Sequence, residues 1–255
     1  MHKYSIAFYT LLRKEIVRFF RIWSQTLLPP AITMTLYFVI FGQMIGSKIP
    51  EIKGYSYMQY IAPGLIMMSV ITSAYNNVVA SFFGARFQKS IEELLVAPLP
   101  QPLLLLGFTM GGVARGLTTG LIVTGISLFF THLHVQHPWL IIFVVMLTST
   151  LFSLAGFTNG LFAKKFDDIS IIPTFVLTPL TYFGGVFYSI NELGEPWHSL
   201  SLFNPILYMV NAFRDGILGI SDVNITYAIV IMLGLTILLF IGNWYLLHKG
   251  IGIRT

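Results

Sequence analysis

The sequence predicts an all-α membrane protein with six transmembrane helices, an N-terminal interfacial amphipathic helix and re-entrant external helices before the last span. Of its 255 residues, 55% are hydrophobic and 10% are charged, which leaves too few polar side chains to cover a soluble globule. Apolar runs recur at about the twenty residues that a helix needs to cross a bilayer, and charged residues collect between these runs. Residues 1–255 are therefore predicted to form a single transmembrane domain.

Residues 3–25 form the first predicted element, an amphipathic helix lying in the headgroup plane. Its aromatic and aliphatic side chains face away from a mostly basic and polar stripe, which a membrane surface favours. The stripe consists of Lys3, Ala7, Thr10, Lys14, Arg18, Arg21 and Gln25. The alternative is a soluble helix packed on a domain, but no soluble domain follows it. The segment lacks the pattern of a cleavable signal peptide.

Six apolar runs are predicted to cross the membrane, at residues 26–45, 57–83, 103–130, 139–163, 169–188 and 223–247. Two runs carry glycines four residues apart, a spacing that lets helix backbones approach closely. These glycines are Gly112, Gly116 and Gly120 in the third run and Gly156 and Gly160 in the fourth. We expect direct helix contacts at these positions.

The fifth run is interrupted by Pro173 and Pro179. A broken helix is tolerated in lipid only where neighbours or water satisfy the freed backbone carbonyls, so we expect this run to face protein or a cavity. Residues 191–222 follow, with an apolar stretch too short to span and too apolar for open water. This profile predicts a re-entrant or interfacial helix pair on the external side.

Lysine and arginine counts predict that both termini are cytoplasmic. With six spans, one side of the membrane holds eleven of the fifteen basic residues and the other side holds three. The net charge of +5 suits anionic lipid headgroups better than nucleic acid, because the basic residues lie between apolar runs and form no single patch.

The stretch at residues 84–102, GARFQKSIEELLVAPLPQP, is predicted to be a cytoplasmic coupling loop. Charged residues at near-helical spacing would face a partner, while apolar residues would face lipid or neighbouring spans. The charged set is Arg86, Lys89, Glu92 and Glu93, and the apolar set is Ile91, Leu94, Leu95 and Val96. Prolines at 98, 100 and 102 end this helix. The alternative is a solvated loop. A second turn at 164–168, with Asp167 and Asp168, is another candidate contact.

No catalytic or metal-binding constellation is predicted in this chain. Gln88 stands where a phosphate-binding loop needs its second glycine, so the chain is not expected to hydrolyse ATP. The absence of cysteine excludes thiolate metal sites, and His132, His134 and His137 lie in a solvated turn without a carboxylate companion. The second to sixth runs hold no acid between their ends, which argues against an ion-coupled carrier.

Arg115 is the one ionisable residue inside an apolar run. At mid-bilayer it would cost about 2.5–3.5 kcal/mol on insertion scales. It therefore either snorkels or is paired within the protein, or it contacts a substrate.

Four segments together resemble the ABC transporter type-2 permeases, the membrane subunits of bacterial exporters, and in particular small permeases made as separate polypeptides. They are SFFGARFQKSIEELLVAPLP, GGVARG, FDDISIIPTFVLTPLTYFGGVFYSI and LFNPILYMVNAFRDGILG. The resemblance implies a bacterial inner-membrane location, a permease homodimer and two cytoplasmic ABC ATPase subunits that bind the ATP and Mg²⁺. This chain would then need no cofactor and be no enzyme.

The resemblance also implies site residues. It implies ATPase contacts at Glu92, Glu93, Leu94 and Leu95, and the charge pattern described above adds Arg86, Lys89, Asp167 and Asp168 to the predicted coupling set. The predicted substrate path comprises Arg115, Thr178, Pro179, Tyr182, Asn204 and Pro205, of which the resemblance places Asn204 and Pro205 near the exit. Arg214 and Asp215 would lie near the exit, with a solvated charge pair as the alternative. Relatives move polysaccharides, lipid-linked glycans, drugs or peptides, so the expected function is ATP-driven export of a lipid, glycan or drug-like amphipathic molecule. The alternative is a non-transporting sensor or scaffold, or a passive channel.

Overall fold

A computed structural model describes residues 2–96 and 99–252, and within them the fold is entirely helical, without β-strands. Its α-helices are α1 (His2–Arg21), α2 (Trp23–Thr26), α3 (Leu28–Tyr37), α4 (Tyr57–Phe87), α5 (Ile91–Val96), α6 (Gln101–Phe130), α7 (Pro138–Phe162), α8 (Asp168–Ile172), α9 (Thr178–Tyr182), α10 (Trp197–Leu202), α11 (Pro205–Leu218) and α12 (Ile225–Lys249). The predicted class of an all-α membrane protein is confirmed.

Five helical stretches in the described residues are long and apolar enough to cross a membrane: Trp23–Ile45, Tyr57–Phe87, Gln101–Phe130, Pro138–Phe162 and Ile225–Lys249. The first combines α2, α3 and a π-helical stretch at Phe38–Ile45. The predicted fifth run is not among these stretches, so the count of six long spans is not confirmed.

The fifth run consists of three consecutive five-residue pieces, α8, a π-helical turn at Pro173–Leu177, and α9. The run nevertheless extends along most of the length of α4. The Phe166 ring contacts Phe83, whereas the Val186 backbone packs against Gly64. These two positions on α4 are about 29 Å apart at 1.5 Å per residue. The chain therefore covers most of a bilayer thickness through short helices and irregular backbone.

Side chains from the α10–α11 region hold this broken run. The Asn204 amide donates to the Leu180 carbonyl at 2.6 Å, and the Arg214 guanidinium donates to the Gly185 carbonyl at 2.6 Å. Irregular backbone at membrane depth needs such partners because lipid offers none. Pro173 frees the Ile169 carbonyl, and the Asn159 amide of α7 donates to that carbonyl at 3.3 Å, so the expectation that neighbouring protein satisfies a freed carbonyl is confirmed there.

Helix α4 is the centre of the bundle and packs on α6, α7 and α11. The glycine contacts predicted from spacing are present. A Cβ at Gly112 would come within 2.9 Å of the Ala74 carbonyl oxygen, and one at Gly156 within 2.5 Å of the Tyr75 carbonyl oxygen. Because both obstacles are backbone atoms, only glycine lets these helices approach so closely.

Helix α1 lies against α6 rather than standing apart from the bundle. Leu11, Glu15 and Phe19 are buried, and Leu11 and Glu15 lie over Gly107 and Gly111 of α6. Its opposite face exposes Arg13, Lys14 and Arg21. The helix is thus amphipathic as predicted, but its buried face also contains a carboxylate.

Candidate functional site

We call the end of the bundle that carries α5 and residues 163–168 the α5 end. Helix α4 continues to Phe87, so the segment predicted as one helix from residue 84 is divided by a turn at 88–90. Only α5, Ile91–Val96, forms a separate short helix. The separate helix therefore begins later than predicted, because α4 continues through Gly84 to Phe87.

Helix α5 presents acid outward and apolar residues inward. Glu92 and Glu93 are exposed, Ile91 is buried against the core, and Leu94 is partly buried. Leu95 lies in the helix, but its side chain lies outside the described structure, as does the whole of Pro98. Val96 is 87% exposed, so among the predicted apolar side chains that the structure describes, Ile91 and Leu94 turn inward and Val96 does not.

Arg86, one of the predicted coupling residues, is bonded within the chain. Its Nη1 donates to the backbone carbonyls of Gly160, Leu161 and Ala163, the latter two at 2.8 and 3.3 Å. These carbonyls lie at the C-terminal end of α7, where backbone acceptors lack helical partners. Arg86 therefore caps α7 and ties the end of α4 to the turn at 163–168.

Asp168 also has a local role in that turn. Its Oδ2 accepts hydrogen bonds from the backbone N–H groups of Lys164 at 2.8 Å and Lys165 at 3.0 Å. These bonds lower the pKa of the Asp168 carboxyl, because they favour its charged form. Asp167, in contrast, is exposed and remains a candidate contact.

A cleft of about 260 Å³ lies between the two segments of the α5 end. One wall is formed by the end of α4 and the start of α5, and the other by residues after α7. Its lining residues are Phe83, Arg86, Phe87, Lys89, Ile91, Glu92, Ala163 and Lys164. The cleft thus combines an aromatic floor with three basic groups and one acidic group.

A buried polar cluster joins α1 to α4 near this end. The Glu15 carboxylate accepts from Ser81 Oγ at 2.7 Å and pairs with Arg18 at 3.1 Å, and the Arg18 guanidinium donates to the Asn77 side chain at 2.9 Å. Glu15 is 0% exposed. Arg18 is therefore bound to α4 rather than to lipid headgroups as predicted.

Arg115 is buried beside the first span, where its guanidinium donates to the Thr26 carbonyl at 3.0 Å. This geometry favours pairing within the protein over contact with a substrate.

The other predicted path residues occupy two places. Pro179 and Asn204 line an apolar cavity of about 260 Å³, together with Leu180, Phe183, Leu200 and Phe203. Pro205 follows as the first residue of α11. The Tyr182 hydroxyl instead meets Tyr37 at 2.7 Å, and the Thr178 hydroxyl donates to the Pro173 carbonyl within its own run. Arg115 is not among the residues that line this cavity.

At the opposite end of the bundle, Asp222 is the acceptor for several chain segments, and we call this the Asp222 end. Its carboxylate accepts from Lys53 Nζ at 2.6 Å, Ser189 Oγ at 2.8 Å and Tyr60 Oη at 3.2 Å. Burial acts to raise the pKa of this carboxyl, but the bonds from Lys53 and Ser189 and the nearby positive charges lower it more. The net pKa lies below its ordinary value.

The alternative of a solvated pair of Arg214 and Asp215 is wrong. Arg214 is 1% exposed and stacks over the Tyr60 ring at 4.0 Å, while its guanidinium donates to the Gly185 carbonyl. Adjacent residues on a helix point in directions about 100° apart. Arg214 can therefore point into the protein while Asp215 points in another direction.

Comparison with known proteins agrees with this architecture. Residues 6–218 match the family model described as ABC-2 type transporter. The chain belongs to this family. It is 56% identical, over the full length of both chains, to the inner membrane transport permease YadH of Escherichia coli strain K12. It is also 24% identical, over 74% of each chain, to nodulation protein J of Rhizobium leguminosarum bv. viciae.

The chain is thus the membrane permease of an ABC transporter and a transport subunit rather than an enzyme, and membership of the family implies partnership with an ABC ATPase. Two features of the permease escaped the sequence-based prediction, the Glu15 cluster and the Asp222 site. The first had a signal in the sequence, because Ser69, Ser73, Asn77 and Ser81 recur every four residues on α4 and form a polar stripe. The Asp222 site had no such signal in the sequence, because its hydrogen-bond donors come from distant segments.

Proposed function

We propose that this permease is the membrane conduit of an ATP-driven exporter in the bacterial inner membrane. Two copies of the chain assemble with two cytoplasmic ABC ATPase subunits, which bind the ATP and Mg²⁺. The complex moves a lipid, glycan or drug-like amphipathic molecule out of the cytoplasm or the inner leaflet.

The observation that carries this proposal is the construction of the α5 end. Glu92 and Glu93 are exposed on a short helix beside a cleft. Gln88 occupies the position at which a phosphate-binding loop requires a glycine. A chain that presents a docking helix and lacks its own nucleotide site fits a subunit driven by another protein.

The α5 end is assigned to the cytoplasm because eleven of the fifteen basic residues are predicted on that side. The name of the YadH relative, an inner membrane transport permease, supports the same membrane. Both termini are cytoplasmic in this arrangement.

The outer surface of the bundle supports lipid contact and a second copy. Helix α12 exposes Ile237, Leu238 and Ile241, and the first span exposes Ile32 and Leu36. Apolar faces of this size suit lipid or another protein helix but not water. The cavity beside Pro179 and Asn204 combines apolar walls with one amide, which suits an amphipathic cargo.

The test is co-purification and reconstitution. The permease is co-expressed with each ABC ATPase of its genome that lacks a membrane domain, and the complex is placed in liposomes with a fluorescent lipid analogue. We expect one ATPase to co-purify, to hydrolyse ATP faster in the complex, and to drive movement of the analogue toward the external side. Ion passage through the lone chain without nucleotide would instead indicate a channel, and absence of any ATPase a sensor or scaffold.

A further inference from the structure

We propose that the cleft at the α5 end receives a carboxylate of the ATPase subunit, held between Lys89 and Lys164. The inference rests on the proposed function, because it specifies the chemistry by which the ATPase docks.

The cleft has the charge to hold an acid. Arg86, Lys89 and Lys164 line it together with a single acidic residue, Glu92. Arg86 already donates to three backbone carbonyls, so the two lysines are the groups left to meet a ligand. Among residues 2–96 and 99–252, neither lysine forms an ion pair, although the Asp168 carboxylate interacts electrostatically with Lys164. A site with excess positive charge between two segments favours a negatively charged partner group.

The backbone of Lys89 gives independent support. Lys89 has φ +58° and Lys53 has φ +51°, and in the described part of the chain these are the two residues other than glycine with positive φ. A side chain disfavours this conformation because its Cβ crowds the backbone, a conflict that glycine avoids. Residues with strained backbone conformations of this kind cluster at functional sites.

Lys53 shows which function a lysine in this conformation can have. Its ammonium contacts the Asp222 carboxylate at 2.6 Å, so the left-handed turn places a lysine directly against an acid. Lys89 has the same backbone conformation and is exposed, and no carboxylate of the described chain pairs with it. We infer that the corresponding acid belongs to the partner.

A lipid phosphate is the competing anion, since the α5 end is assigned to the cytoplasmic side, where anionic headgroups also lie. The cleft, however, is continuous with the exposed acidic face of α5, because Glu92 belongs to both. A face that carries Glu92 and Glu93 repels an anionic lipid surface, whereas a protein can place its own basic residues against it. The ATPase is therefore the favoured occupant.

The test compares three variants in the complex with the co-purifying ATPase. Lys89→Gly removes the ammonium and suits the turn, so its thermal stability is expected to equal or exceed that of the parent protein. Lys164→Gln removes the second ammonium, and Lys165→Gln is the matched control, since Lys165 is exposed but does not line the cleft. We expect K89G and K164Q each to weaken ATPase binding about tenfold and to reduce its dependence on salt, with K165Q within twofold of the parent.

Carbodiimide cross-linking provides a direct measurement. The reagent converts a carboxylate into an O-acylisourea. A lysine amine in contact then attacks the carbonyl carbon, which forms an amide and releases the urea. We expect a cross-linked peptide that joins Lys89 or Lys164 to an Asp or Glu of the ATPase, and its Lys89 form must disappear in K89G.

The outcomes separate the two proposals. Parent protein that captures no ATPase overturns the proposed function and this inference with it. Equal capture by the parent, K89G and K164Q, without a cross-link, overturns the inference alone. Unchanged ATPase capture with loss of co-purified anionic lipid assigns the cleft to a headgroup and also overturns it.

Discussion

The two ends of the bundle use charge in opposite ways. At the Asp222 end, charged groups turn inward, and one carboxylate accepts from Lys53, Tyr60 and Ser189. At the α5 end, Glu92 and Glu93 turn outward. The Asp222 carboxylate thus joins segments of the chain itself, whereas Glu92 and Glu93 form no ion pair within the described residues.

The ends also differ in how their segments are joined. The Asp222 end connects residues from several distant parts of the chain through one buried acceptor, the Asp222 carboxylate. The α5 end has a simpler link, the bonds from the Arg86 guanidinium to the carbonyls at the C-terminal end of α7. If this difference reflects function, substitutions at the Asp222 end should affect stability most, and those on α5 should affect it least.

The largest loss of stability is expected for Arg214→Met. The change leaves the Gly185 carbonyl without its donor and removes the cation–π contact with Tyr60, so the free energy of unfolding should fall by about 3–5 kcal/mol. Thermal unfolding in detergent measures the effect. Asp215→Asn is the matched control and should stay close to the parent; an R214M protein as stable as that control would contradict the assigned role.

Asp222→Asn should cost about 1–3 kcal/mol, since Lys53 would lose its carboxylate. The pKa of Asp222 is lowered in the folded protein, so its contribution is complete above the ordinary Asp pKa of about 3.9 and is lost as pH falls through the folded value. The parent protein should therefore lose stability in acid, whereas D222N should show a smaller loss. Parallel pH profiles of the two proteins would refute this role.

Arg86→Gln should have a moderate effect of about 1–2 kcal/mol, because exposed ends of α7 can partly exchange the lost donor for water. Its sharper consequence is geometric. The chain has no cysteine, so spin labels at Ser90→Cys and Lys165→Cys report only the distance between the two segments. The distribution of distances between the two labels should be narrow in the parent and broad in R86Q, with R86K between them. An unchanged distribution would show that Arg86 is not the link.

The smallest effect on stability is expected for the double reversal Glu92→Lys with Glu93→Lys, within about 0.5 kcal/mol. Both side chains are exposed, so folding does not depend on them. ATP hydrolysis in the complex should nevertheless become uncoupled from transport. Glu192→Lys with Glu195→Lys, a double reversal of two exposed acids between α9 and α10, is the matched control. Normal coupling in the α5 variant would disprove the docking face.

Local patterns predicted the fold well where neighbouring residues decide the outcome. Glycine spacing indicated the contacts of Gly112 and Gly156, and Pro173 and Pro179 indicated the broken run. Charge roles were harder to predict, because they depend on which distant group lies opposite. The acceptors of Arg86 lie more than seventy residues along the chain, and the acid near Arg214 proved to be Asp222 rather than its neighbour Asp215.

The broken fifth run has a consequence for any opening between it and the α10–α11 pair. Separation of the two would strip the Leu180 and Gly185 carbonyls of the donors that now hold them, and acyl chains cannot replace those donors. Water or hydroxyl groups of the cargo must therefore enter as the segments part. A gap on this side opens as a hydrated crevice, suited to molecules that bring polar atoms with them.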